Sequence, residues 1–325
     1  MNIAIVGAGW TGCHIAKHLM QSHNVTIYER DSIFNGTSSN NQNRLHLGFH
    51  YPRNYRTRML CKNTFNRFID EYGQFVKSVD NNVYAISKNS SIDYETYKNI
   101  FSYDGIRYTE FSSSNLNNVS GCINTDEMYI DFGRVTEYFD NLLKDIIVKR
   151  HIYSFDELSG YDIILNCTNN FIRNPVIDSF YELTLSLVYK SISPIEFGAL
   201  TVVDGPFLSI FPYKSDLYTM TDVEHTPMFI SNDINEIQKF YNSISSELIL
   251  DKRKLMEEKV SSYYTEFLNK FEYNDYYLSV KSKFNSNSSD RYPVISKTDN
   301  VIHCFTGKIQ GIYPILDSIS KILST

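Results

Sequence analysis

The chain has 325 residues, with 31 basic and 37 acidic side chains and a formal charge of -6. Its 42% hydrophobic and 14% aromatic content supplies a substantial core and excludes a disordered chain. The acidic balance, with a pI near 5.8, argues against a surface built to neutralise many phosphates, so no nucleic-acid partner is expected.

The length suits two intertwined domains or one large α/β unit. The five cysteines are odd in number, widely spaced and lack a CxxC pair, so they read as reduced packed thiols and no metal site is expected. No uncharged apolar run approaches the roughly 18 residues of a membrane span, and no secretory h-region opens the chain. A cytoplasmic enzyme without membrane contact is the expectation.

Ile3-Ala4-Ile5-Val6 has the apolar character of a buried parallel strand. A glycine turn, Gly7 to Gly12, follows, then Ile15, Ala16 and Leu19 at helical spacing, then a second strand, Val25 to Tyr28, ending in Glu29-Arg30. Together these make a strand, turn, helix and strand of about 30 residues, the size of a βαβ unit. A polar loop over 35–50 leads into Leu45-His46-Leu47-Gly48-Phe49-His50, and loops of this length are usually functional. Tyr55, Met59, Phe65, Phe68, Ile69 and Tyr72 predict an amphipathic helix, and residues 76–130 alternate strand-like pieces such as Val83-Tyr84-Ala85-Ile86 with polar turns.

A helix is predicted over 133–145, with Val135, Phe139, Leu142 and Leu143 on one face, and a buried strand over Tyr161 to Thr168. Residues 176–231 predict antiparallel hairpins with turns at Asp204-Gly205-Pro206 and Lys214-Ser215-Asp216. Residues 234–271 read as one or two helices with Leu255, Val260, Tyr263 or Tyr264, and Phe267 on the apolar stripe. A strand, Val301 to Phe305, a glycine turn and a helix from Pro314 to Leu323 close the chain, with Pro314 suited to a first helical turn.

Gly7-Ala8-Gly9-Trp10-Thr11-Gly12 is a GxGxxG motif. Its first glycine permits the turn, the second lets a pyrophosphate approach the backbone, and the third lets helix and strand pack closely. The helix N-terminus, with Trp10 and Thr11, then faces the phosphates. Glu29, 20 residues after Gly9, suits a ribose hydroxyl pair and disfavours a 2′-phosphate, and Arg30 adjoins it. NAD and FAD share this fingerprint.

Later segments bear on that choice. Gly36-Thr37-Ser38-Ser39-Asn40 and Asn43-Arg44, the strand end Asn166-Cys167-Thr168-Asn169, the Phe211-Pro212-Tyr213 hairpin, Asp290-Arg291-Tyr292-Pro293, and Gly307-Lys308-Ile309-Gln310-Gly311 form one series. With that series the chain resembles FAD-dependent oxidoreductases of the D-amino-acid-oxidase-like superfamily, although a glycine is missing after Thr168. The resemblance implies an α/β architecture: a Rossmann-like FAD-binding domain over 1–75, 130–175 and 285–325, and a second, mainly antiparallel α+β substrate domain over 76–129 and 176–284. It also implies FAD contacts from Ser38, Ser39, Asn43, Arg44, Thr168, Gly307, Lys308, Ile309 and Gly311. The C-terminal turn and closing helix would stabilise negative charge on the flavin.

The segment Arg44 to Arg53 concentrates two imidazoles and two guanidiniums, so Arg44, His46, His50 and Arg53 are the catalytic candidates. If extended, the stretch places His46, Gly48 and His50 on one face. Proton transfer, an anion pocket or a covalent flavin link are the functional readings, against ordinary structural pairing. Arg56 and Arg58 read as a solvated helix face. Tyr213, Tyr218 and Arg291 are substrate candidates, and His225 shares their sheet. His14 and His18, four apart on the first helix, read as surface or packing residues.

The expected function is hydride transfer from a small amine- or hydroxyl-bearing substrate to FAD. Alternatives are a flavoenzyme acting on a sugar or nucleotide-sugar without net redox change, an NAD-dependent dehydrogenase, and a fold kept for binding alone. The oligomeric state is not legible.

Overall fold

The computed structural model describes residues 1–174, 176–205, 207–285 and 290–324. Pro206 of the expected 204–206 turn, and the ends of the expected segments at 175 and 325, lie outside the described residues. The chain divides into two compact units: Met1–Asn40, Phe132–Tyr181 and Val280–Thr325 form one, and Asn41–Asp131 with Glu182–Ser279 form the other.

The first unit holds a six-stranded sheet in the order Val294–Thr298, Val301–Phe305, Ile163–Asn166, Asn2–Val6, Asn24–Glu29, Ile147–Lys149. All pairings are parallel except the first, which is an antiparallel hairpin that the sequence reading missed. Ile3, Ala4, Ile5 and Val6 are buried because helices cover this sheet, the burial expected of a central parallel strand. The Trp10–Leu19 helix packs against Phe132–Leu143 and Ile312–Leu323. Trp10 sits edge-on to Phe34, Phe132 and Phe139 at centroid distances of 5.5, 6.2 and 5.9 Å, and His14 is fully buried beside Tyr313. Pro314 falls in the first turn of its helix, as expected.

The second unit is built on a nine-stranded sheet. Its Asn82–Ser87 strand is buried along its whole length. Val83 and Ala85 face one hydrophobic cluster, while Tyr84 and Ile86 face another, the alternation that a strand imposes. Ala199–Val203 runs parallel beside it, and Val119–Thr125 runs antiparallel on its other side. The expected hairpins appear as Leu208–Lys214 and Leu217–Asp222. A small sheet joins Arg44–Leu45, Met128–Ile130 and Val76–Lys77.

Several elements differ from expectation. The boundary of the first unit falls at 40/41 rather than at 75, because the Tyr55–Tyr72 helix is tied into the second unit. Arg58 on that helix is buried against Asp104, so it is no solvated face, whereas Arg56 is exposed. Tyr55, placed on the apolar stripe, is 63% exposed. A helix at Tyr94–Tyr103, capped by the Asp93 side chain, lies where only strands and turns were expected. Leu255 is exposed, and Ile249, Met256, Val260 and Tyr263 form the buried stripe of the Ser246–Tyr263 helix.

Candidate active site

In the first unit the glycine turn is held from three sides. Gly7 takes φ +101° and its N–H donates to the Tyr28 carbonyl at 2.9 Å. A Cβ on Gly7 would stand 2.7 Å from the Cys167 carbonyl oxygen, and one on Gly12 only 2.0 Å from the Gly7 carbonyl. The first intrahelical hydrogen bond is Cys13 N–H to Gly9, so the N–H groups of Thr11 and Gly12 belong to the first turn, where a helix receives anions. Ser38 Oγ accepts from the Trp10 N–H at 3.1 Å and would lie 2.9 Å from a Cβ on Gly9, so the polar loop closes over this turn. The Trp10 ring is core and its N–H is taken by Ser38, so the turn's donors toward a ligand are the N–H groups of Thr11 and Gly12.

Glu29 Oε2 accepts from the Ala8 N–H at 2.8 Å and Oε1 from the Asp31 N–H at 3.0 Å. Each carboxylate oxygen keeps a second lone pair, so the group is aimed by the backbone and still able to receive ribose hydroxyls. Arg30 is exposed, lying over Phe171 and beside Asp31. Ser39 Oγ donates to the Phe34 carbonyl. Asn166 Oδ1 accepts from both the backbone N–H and the hydroxyl of Thr168, which fixes the strand end despite the absent glycine. Thr306 spans the C-terminal turn, donating to the Lys308 carbonyl and accepting its N–H. A Cβ on Gly311 would fall 1.9 Å from Thr306 Oγ1, and one on Gly307 2.7 Å from Arg291 Cδ. Ile309 opens the short turn that leads into the closing helix. At Gly7 and Gly12 the obstacle is a backbone carbonyl, so a Cβ is excluded there, and this tight turn with Glu29 fits the pyrophosphate and ribose of FAD.

The remaining candidates lie in the second unit. His46 and His50 do not share one face of a strand, since the chain turns at Gly48 with φ +114°. The turn itself brings the rings together, at 4.7 Å between centroids. Gly48 makes room for the neighbouring helix, not for the histidines: a Cβ there would stand 2.8 Å from Arg58 Cγ and 3.0 Å from its carbonyl.

Beneath the histidines is a buried polar cluster. Register pairs Tyr84 with Thr201 and Thr201 with Ser209, so their side chains form one row across three strands. Arg44 lies along that row, donating to Tyr84 at 2.8 Å, Thr201 at 2.9 Å and Ser209 at 2.9 Å, with its guanidinium 3.9 Å from the Phe211 ring centroid. Its Nε has no hydrogen-bond partner among the described residues. Glu127, 1% exposed, balances this charge at 3.7 Å. One of its oxygens accepts the N–H groups of Leu47 and Gly48, and the other accepts the Tyr84 hydroxyl at 2.5 Å and lies 3.4 Å from His46 Nδ1. Burial pushes the Glu127 pKa up, but the nearby His46 charge, the Arg44 charge and the Tyr84 hydroxyl hold it at about 2. Burial raises the Tyr84 phenol well above its usual range. His50 Nδ1 is 2.5 Å from the Tyr84 oxygen.

Other candidates stand apart from this cluster. Arg53, 58% exposed in its side chain, forms a bidentate pair with Asp204. Asn43 is buried at φ 50° and its carbonyl accepts the Ile130 N–H, a backbone role. Tyr218 packs on Phe271, and Tyr213 stacks on Tyr277 at 5.6 Å. His225 is held by Asp222 at a turn. Tyr84 and Glu127, at the centre of the cluster, were not among the sequence candidates.

A family model described as FAD dependent oxidoreductase matches residues 2–86. The FAD-dependent monooxygenase FPY4 of Fusarium mangiferae is 32% identical over 327 residues, covering 96% of this chain and 88% of that protein. Among solved structures, an FAD-bound L-alpha-glycerophosphate oxidase from Mycoplasma pneumoniae matches with TM-score 0.72 at 12% identity, over 100% of this chain and 94% of that one. Glycine oxidase from Geobacillus kaustophilus matches with TM-score 0.71 at 10% identity, over 98% and 93%. The glycine cradle, the aimed Glu29 and these likenesses lead to one conclusion: the chain is an enzyme of the D-amino-acid-oxidase-like family of FAD-dependent oxidoreductases, with FAD as its cofactor.

Proposed function

We propose that the protein oxidises a small substrate bearing an amine or a hydroxyl, with His50 taking the proton from that group while hydride leaves the adjoining carbon. The observation that carries this reading is the buried Arg44–Tyr84–Glu127 cluster under the paired rings of His46 and His50. Orientation of a base by such a cluster serves general base catalysis, worth about 10²–10⁴-fold. Bound FAD supplies the hydride acceptor. The first unit holds it through Gly7, Gly9, Gly12, Glu29, Ser38, Thr168 and the 307–311 turn, and the second unit serves the substrate. Five free, buried cysteines support a reducing, cytoplasmic setting, and none of the described helices is long and apolar enough to cross a membrane.

The test is anaerobic addition of small amines and alcohols to the FAD-loaded enzyme, followed by the flavin's visible absorption. Bleaching by such a compound, lost in His50→Gln with FAD still bound, supports the reading. Retained turnover in His50→Gln overturns the assignment of the base. The naming of FPY4 as a monooxygenase favours a second reading, in which one atom of dioxygen enters the product and the other leaves as water, with two electrons supplied to the flavin by an added reduced nicotinamide nucleotide. Turnover under ¹⁸O₂ separates the two: label in product with no hydrogen peroxide favours oxygen insertion, and peroxide with unlabelled product favours simple oxidation.

A further inference from the structure

We infer that Tyr84 and Glu127 are positioning residues that lock His50 with its proton on Nδ1, which makes Nε2 the nitrogen that carries the basic lone pair. This rests on the reading of His50 as the base and names how that base is set.

The argument is one of hydrogen-bond valence. An ionised carboxylate only accepts, so at the 2.5 Å contact Tyr84 donates and Glu127 receives. A phenol has one proton, and this contact uses it. Toward every other neighbour the Tyr84 oxygen is an acceptor. Arg44 Nη1, which only donates, fills one lone pair at 2.8 Å. His50 Nδ1, at 2.5 Å, must therefore bring its own proton to the other. In a neutral imidazole the nitrogen opposite the donor carries the lone pair, and which nitrogen that is follows from the hydrogen bond the other makes.

The cluster is built so that this proton order does not reverse. Glu127 cannot turn away, because its other oxygen is pinned by the N–H groups of Leu47 and Gly48. Tyr84 cannot rotate toward solvent, being fully buried on a strand whose neighbours supply Thr201 and Ser209. Around the His50 ring stand His46 at 4.7 Å, Tyr51 at 6.1 Å, Tyr84 at 5.4 Å and Phe207 at 4.7 Å between centroids. Ligand atoms of His46, His50 and Glu127 do come within 4.8 Å of one another, a spacing that also suits a metal ion. The Glu127 oxygen that would serve a cation already accepts Tyr84 and lies 3.7 Å from the Arg44 guanidinium, which repels one.

The experiment is ¹⁵N NMR of ring-labelled histidines in the FAD-loaded enzyme, recorded where the imidazoles are neutral, with His50→Gln used to assign the His50 signals. The expected result is a protonated Nδ1 and an unprotonated Nε2, reverting in Tyr84→Phe to a proton on Nε2. In parallel, Tyr84→Phe is expected to lower kcat about 10-fold or more with a smaller change in KM, while FAD absorption is retained. A proton on Nε2 in the wild-type ring, or an unchanged tautomer in Tyr84→Phe, overturns the inference. Full turnover in His50→Gln instead overturns the choice of base, a failure that the tautomer signals register separately.

Discussion

The Tyr84 hydroxyl donates to the Glu127 carboxylate at 2.5 Å across 43 residues of sequence, and both side chains are closed to solvent. Burial works to raise the pKa of Glu127, yet His46, Arg44 and Tyr84 hold it at about 2, against an ordinary value of 4.5. A folded-state pKa below the unfolded one means that stabilisation is complete above pH 4.5 and drains away as pH falls toward 2. At 1.36 kcal/mol per pKa unit the contribution is on the order of 3 kcal/mol. Urea midpoints of wild type and Glu127→Gln, compared from pH 7 to pH 2, should differ at neutral pH and converge below pH 4.5. A constant difference across that range would show that the carboxylate is not held ionised by its neighbours.

Arg58 and Asp104 form another buried ion pair, with side chains 8% and 4% exposed. The Arg58 guanidinium also donates to the carbonyls of Tyr51 and Pro52, so it fastens the histidine turn to the Tyr55–Tyr72 helix. Removing one partner strands the other charge in the interior. Asp104→Asn is expected to cost about 3–5 kcal/mol in urea unfolding, and Arg58→Met/Asp104→Leu to recover part of it. A loss below about 1 kcal/mol would mean that water reaches the pair.

How legible these features are in the sequence depends on how local they are. The opening βαβ unit reads off directly, because strand, glycine turn, helix and acid lie within 30 residues and each constrains the next. The Arg44–Arg53 run stands out for its density of imidazole and guanidinium groups. Glu127 does not, being one of 37 acids in a polar corner between two short strands, and Tyr84 is one of 25 tyrosines. Their significance arises only when strand register sets Tyr84 beside Thr201 and a distant corner delivers the carboxylate. Arg58 misleads for the same reason, since its partner is 46 residues away and its spacing matches an exposed helix face. The Tyr94–Tyr103 helix was missed because only Tyr97 and Phe101 on it are buried, too short a stripe to show a period.

Glu29 accepts from two backbone N–H groups, those of Ala8 and Asp31. Glu29→Ala removes the acceptor for the Ala8 N–H at the glycine turn as well as the expected ribose contact. Apo protein titrated with FAD and followed by flavin fluorescence should bind at least 10-fold more weakly, equivalent to about 1.4 kcal/mol. Glu29→Gln keeps one acceptor oxygen and should fall between the two. Unchanged affinity in Glu29→Ala would remove this residue from the cofactor site.

The glycine turn gives the most direct comparison, since steric consequences can be ranked by the atoms a Cβ would meet. At Gly12 a methyl group would stand 2.0 Å from the Gly7 carbonyl oxygen, a backbone atom that cannot swing aside, so the Trp10–Leu19 helix must shift off its strand. At Gly9 the obstacle is the Ser38 hydroxyl at 2.9 Å, the end of a side chain that can rotate. Gly160 has nothing within 4 Å of the added carbon. FAD content after purification should therefore fall in the order Gly160→Ala, Gly9→Ala, Gly12→Ala, with the first equal to wild type and the last close to none. Overpacking of this kind costs about 1–3 kcal/mol, so Gly12→Ala should also unfold at lower urea concentration. Full FAD occupancy in Gly12→Ala would mean that the contact of helix and strand is not what shapes the phosphate turn.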